Sequence, residues 1–229
     1  MKPAPSKQQL NLGFKELKAR QRRERDGYSE SVALRVHRAI SWLGRAEQER
    51  TDPDARFVYI WIAFNAAYAS AAPDPDMTER RAFRGFLKNL LELDTGGRLG
   101  HLVWNEFAGS IRVLLDNRFV FQDFWNHQVG KLSVAEWNGR FRASRRAAHD
   151  ALARNNTLNV LVIVFGRIYV LRNQVMHGGA TWNSSANRSQ VRDCAGFLGK
   201  VVPAIIEIMM EHPQHDWGPA AYPVVESKS

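Results

Sequence analysis

Arg172, Asn173 and His177 lie close together, immediately ahead of the pair Gly178-Gly179. His177 is the group of the three whose charge can change near neutral pH, which makes it a candidate acid or base. Asn173 and His177 are four residues apart, so on a helix they share a face, one above the other. Arg172 is one residue off that face, with an arm long enough to swing towards it. A histidine in a last helical turn also feels the negative end of the helix dipole, which favours its protonated form. The dipole alone favours His and Arg at helix ends, so this spacing also suits a purely structural helix terminus.

The element that must position these groups spans residues 157–177. Thr157 suits an N-cap, because its hydroxyl can accept from an orphan backbone N–H. Leu158, Leu161, Phe165 and Ile168 recur at helical spacing and face a core. Gly178-Gly179 supplies a residue that tolerates a left-handed backbone and stops the helix. The motif face runs back through Tyr169 to Gly166, a gap where a second helix can approach closely.

Around this helix the chain reads as helical throughout. Residues 1–27 read as a mobile or loosely docked basic arm, in which Leu10, Leu12, Phe14 and Leu17 can anchor a short helix, with eight Lys/Arg against three acids, a net +5 of the chain's +9. Apolar stripes mark helices over 28–49, 53–71, 78–93, 98–115, 133–152 and 190–211. Asp52-Pro53-Asp54 and Ser133-Val134-Ala135-Glu136 are helix start signals, the second a capping box. The aromatic stretch 119–128 reads as packed connection, and Pro203 should kink the last helix. Residues 212–229 read as an extended tail. No segment alternates with period two for long, so the expected fold is an all-α bundle of about seven helices. The single cysteine, Cys194, leaves no intrachain disulfide and suits a reducing cytosol. Residues 1–9 are polar with no apolar stretch behind them, so no signal peptide is visible. No membrane span is expected, since the apolar run 158–171 is short and contains Arg167.

Two further groups bear on binding. Asn65 sits beside the buried stripe of its helix, next to Trp61 and Tyr68. It either bonds within the core or points at Asn173 and His177. Arg142, Arg145, Arg146 and His149 recur at i, i+3, i+4 and i+7, a stripe that can follow a phosphate backbone or simply face water. The basic balance of the whole chain suits a polyanionic partner. Trp182 either covers the motif or packs locally. His212, His215 and Asp216 have metal-ligand chemistry, but Pro213 and the tail position favour a chance cluster. No metal site and no cofactor are expected.

Leu171-Arg172-Asn173-Gln174-Val175-Met176-His177-Gly178 resembles the Arg-Asn-x-x-x-His signature of the HEPN superfamily. Trp61 to Tyr68 is similar to an early helix in several of its subfamilies. The resemblance implies a single HEPN-like antiparallel helical domain over 28–211, with the helices between the early helix and the motif helix forming an inserted layer. It implies a metal-independent endoribonuclease, cytoplasmic, of the toxin–antitoxin or defence kind. Arg172, Asn173 and His177 would be catalytic, and Asn65, Arg142, Arg145 and Arg146 would meet RNA. Two protomers would join their motif helices about a two-fold axis, and an antitoxin protein is a possible partner. The alternative it leaves open is a non-catalytic HEPN-like module that binds RNA, a nucleotide or a protein. The motif has no acidic residue between Arg172 and His177.

Overall fold

A computed structural model describes residues 12–70, 79–185 and 188–222. The start of the basic arm (1–11), the Pro-Asp break at 72–76 and the end of the tail (223–229) lie outside the described residues. The described residues form ten α-helices and no strands. They are α1 Phe14–Glu24, α2 Glu30–Gln48, α3 Pro53–Tyr68, α4 Glu79–Leu93, α5 Arg98–His101, α6 Ala108–Asp116, α7 Gln122–Gln128, α8 Val134–Ala153, α9 Thr157–Met176 and α10 Arg188–Glu211. The all-α reading therefore holds, with more and shorter helices than the apolar stripes suggest.

Local chemistry sets the helix starts. Asp52 Oδ1 accepts from the N–H groups of Asp54 and Ala55, with Pro53 at the first helical position. Ser133 and Glu136 close the capping box at α8. The motif helix α9 is capped one residue earlier than expected. Asn156 Oδ1 accepts from Asn159 N–H at 3.0 Å, and Thr157 Oγ1 instead accepts from Trp104 Nε1–H at 2.9 Å. Asn155 takes the left-handed turn between α8 and α9 (φ 51°), which places the cap on Asn156.

The stripe over 98–115 is split. Residues 102–106 form a π-turn, closed by Phe107 N–H on the Leu102 carbonyl at 3.0 Å, and α6 starts afresh behind it. Within the segment expected as connection, 118–120 is a 3₁₀ turn and 122–128 is α7. Pro203 lies inside α10, which runs from Arg188 to Glu211.

α2, α3 and α10 pack together, and α9 packs on α3, α4, α6 and α8. α1, inside the expected arm, is docked: Leu17 is fully buried, and Phe14 lies so close to Gly44 that a Cβ there would stand 2.6 Å from the ring. A buried ion cluster ties α1, α5 and α10. Arg98 donates to Asp94 at 3.0 Å, to Glu207 at 2.9 Å and to Glu211. Burial works against the charge on Arg98, but its hydrogen bonds to these carboxylates outweigh it and hold the guanidinium charged. The tail is strapped down as far as Tyr222. Arg35 donates to the Pro219 carbonyl at 2.9 Å, Arg38 donates to the carbonyls of Ala221 and Tyr222, and Trp217 is buried. Ser70 and Ala220 form an isolated β-bridge.

α9 is long and apolar enough, by length and composition alone, to cross a membrane, with a mean hydropathy of 1.3 over its best window. The apolar run was expected to be too short, but the helix continues to Met176. Its buried residues, among them Val160, Leu161, Val164, Phe165, Ile168 and Leu171, belong to the core of the bundle.

Candidate functional site

α9 ends where the sequence places its stop. His177 is the C-cap, its N–H bonded to the Asn173 carbonyl at 3.0 Å, and Gly178 takes the left-handed conformation (φ 72°). Gln174 Nε2 donates to the Phe119 carbonyl at 2.7 Å, which pins this end of the helix to the 118–120 turn. Leu171 is fully buried and Val175 half-buried, so the polar groups project from a fixed base.

Arg172 is half-buried. Its Nη1 donates to Asn173 Oδ1 at 2.9 Å, its Cζ lies 5.9 Å from the centre of the Tyr169 ring, and its Nε is buried without an acceptor. Among the described residues no carboxylate forms an ion pair with it. The His177 ring is exposed, and no hydrogen bond engages it among the described residues. The helix end therefore carries a guanidinium oriented by its neighbouring amide and an open imidazole. Five helical steps separate the two side chains, roughly 7.5 Å along the axis and roughly 140° around it. The Arg172 guanidinium, bonded to Asn173 and near the Tyr169 ring, leans towards the face that Asn173 and His177 share.

The remaining candidates are elsewhere. Asn65 lines a cavity together with Trp61, Gly166 and Tyr169, and that cavity does not include Arg172, Asn173 or His177. Trp182 is 71% exposed and donates to Asp52 Oδ2 at 3.0 Å, so it braces the start of α3 and leaves the motif uncovered. Arg142, Arg145, Arg146 and His149 all lie exposed on α8. Asp116 takes a hydrogen bond from Arg145 and stands 3.5 Å from His149 Nε2. Burial pushes the Asp116 carboxyl up, but the Arg145 bond and charge prevail and hold it below the usual carboxylate range. Arg142 and Arg146 are left without an acidic partner among the described residues. His212 Nε2 lies 3.1 Å from the Leu93 carbonyl, which gives it a packing role.

Sequence reasoning missed Arg167. The residue interrupts an apolar run, and it is only 3% exposed. It lies against the adjoining rings of Phe121 and Phe141, with Cζ at 4.5 and 5.5 Å from their centres. Burial lowers its pKa to about 10, partly offset by Asp116, so it stays charged at neutral pH. A lone arginine among apolar helix residues was the available signal. Comparison with known proteins adds no relative to this geometry: no family model, no curated protein and no solved structure matches the chain.

Proposed function

We propose that the chain is a metal-independent endoribonuclease of HEPN type, acting as a homodimer in a toxin or defence role in the cytoplasm. The observation that carries this reading is the state of Arg172. Its guanidinium is oriented by Asn173 at 2.9 Å, has no carboxylate to neutralise it among the described residues, and shares a helix end with an open imidazole. A planar guanidinium in that condition suits a phosphate diester, which it can hold through two parallel hydrogen bonds.

In this mechanism His177 takes the proton from an RNA 2′-hydroxyl. The 2′-oxygen attacks the adjacent phosphorus, and the bond to the 5′-oxygen breaks. The leaving oxygen is protonated by the imidazolium of the second copy's His177. Arg172 stabilises the charge that develops on the phosphoryl oxygens. The products are a 2′,3′-cyclic phosphate and a free 5′-hydroxyl. The nucleophile belongs to the substrate and the proton carriers to the protein, so the reaction calls for no cofactor. This mechanism uses one imidazole as base and another as acid, and each chain offers one at this helix end, so a second copy supplies the acid. Two α9 ends about a two-fold axis would bring the arginine of one chain towards the histidine of the other.

A second reading is a non-catalytic module that binds RNA, a nucleotide or a protein, because one chain carries a single imidazole at this helix end. Purified protein incubated with RNA in EDTA separates the readings. The ribonuclease produces 2′,3′-cyclic phosphate ends, and His177→Ala abolishes them. Cleavage that survives His177→Ala undiminished ends the catalytic proposal. RNA bound but never cut leaves the binding module.

A further inference from the structure

A cavity of about 400 Å³ opens between α3, α4, α8, α9 and the segment around Val120–Asp123. Its volume is in the range of small-molecule sites. Seven of the eighteen lining residues are aromatic. Phe64 and Phe165 stand 4.8 Å apart, Phe83 and Phe165 5.4 Å, and Trp61 and Tyr169 6.2 Å, measured between ring centres. Six polar side chains interrupt the wall: Asn65, Arg80, Gln122, Asp123, Ser144 and Arg167.

Arg167 is the unusual member. It is buried and charged, and its bonds go to neutral acceptors: Ser144 Oγ at 3.1 Å and the Leu115 carbonyl at 3.4 Å. Its Nε has no acceptor at all. The nearest acids are committed elsewhere. Asp116 is held by Arg145 and His149, and Asp123 accepts from Asn126 at 3.1 Å and pairs with Arg140 at 3.5 Å. A second donor in the same wall, Trp61 Nε1, is also buried without an acceptor. A buried guanidinium with no carboxylate bonded to it among the described residues and a buried indole N–H without a partner are both destabilising as they stand. The wall contributes two arginines, with Arg80 exposed at the surface, against one aspartate that already has a cation.

We infer that this cavity is a binding site for a small organic monocarboxylate with an aromatic body. The carboxylate would supply the charge and the acceptors that Arg167 and Trp61 lack, because a guanidinium fork matches two carboxylate oxygens. The ring would take its place among Phe64, Phe83, Phe165 and Tyr169, in the edge-to-face and offset contacts that aromatic groups prefer. A larger polyanion does not suit the site, since one buried guanidinium faces a mostly apolar wall. The site uses none of Arg172, Asn173 and His177, but it shares Gly166 and Tyr169 with the strip of α9 that the two-copy mechanism needs, so its test reads binding and not RNA cleavage.

The test is calorimetric titration of the full chain with 3-phenylpropionate and with its neutral counterpart 3-phenylpropionamide, followed also by tryptophan fluorescence. The acid should bind saturably and at least about tenfold more tightly than the amide, and it should raise the melting temperature. Arg167→Gln should weaken acid binding by about tenfold or more and leave the amide unchanged. Ile163→Trp fills the cavity with Arg167 in place and should abolish binding while helix content by circular dichroism stays the same. This variant decides the matter if Arg167→Gln fails to fold. No saturable binding of the acid, equal affinity for acid and amide, or binding that persists in Ile163→Trp would each overturn the assignment.

Discussion

Arg172 and Arg167 stand on the same helix and hold their charges in different ways. Arg167 is buried against two adjoining rings, whereas Arg172 is half open and oriented by an amide. For Arg172 that difference defines a test of its role. Arg172→Lys keeps the charge but loses the planar fork, and an ammonium cannot make two parallel bonds to phosphate. Cleavage should fall by about 100-fold, as on removal of a main transition-state donor. Asn173→Ala removes only the acceptor that orients Arg172 Nη1, so its loss should be nearer tenfold. Single-turnover cleavage rates of the two variants make the comparison. Equal activity of Arg172→Lys and the parent would remove the guanidinium from the chemistry. At this scale the spacing of Asn173, His177 and Gly178 was readable, because a helix end has fixed geometry. The partner of Asn65 was not readable, since it depends on which elements α3 meets. The cap at Asn156 was missed because Thr157 and Asn156 are both good caps, and the left-handed Asn155 decides between them.

The helix stripe on α8 gains detail from its neighbour α6. All three arginines at 142, 145 and 146 are exposed, but Arg145 is tied to Asp116 at the end of α6. The salt dependence of RNA binding should therefore come mainly from Arg142 and Arg146. If both contact phosphates, replacing the two by Ala should flatten the slope of log K against log salt by about 1.4, at roughly 0.7 per contact for a single strand. Arg145→Ala should change it less. A slope unchanged in the double variant would make the stripe a solvated face. At the scale of elements, what the sequence made legible was whatever local chemistry decides: the caps at Asp52 and Ser133, the apolar stripes and the all-α class. The break at 102–106 was hidden because a π-turn keeps the apolar spacing nearly helical while changing the hydrogen-bond partner. The docking of α1 was legible in part, since Phe14 and Leu17 stood out as anchors of a short helix while the firmness of the docking did not. Its charge dominates the composition, yet Leu17 and the seat for Phe14 on Gly44 fix it in place.

At the scale of the molecule, the composite-site proposal requires that two copies meet along one strip of α9. Gly166 is exposed, Tyr169 is 42% exposed and Met176 is 43% exposed, so apolar surface continues along the outer side of the helix towards its polar end. A Cβ added at Gly166 meets nothing within 4 Å in the single chain. Gly166→Leu should therefore leave the monomer folded, and its better helix propensity should even stabilise the monomer by up to about 1 kcal/mol. Any loss of association then reports on the interface and not on the fold. Tyr169→Glu acts on the same strip by a different route, placing like charges opposite one another across the two-fold axis. Each substitution should raise the dimer dissociation constant by about tenfold or more. Cleavage should fall in step and recover as protein concentration rises, because the site is complete only in the dimer. Light scattering across a concentration series gives the association, and RNA cleavage over the same series gives the coupling. A parent protein that is monomeric at about 10 μM while fully active would sink the two-copy mechanism, since one chain supplies only one of the two imidazoles it uses.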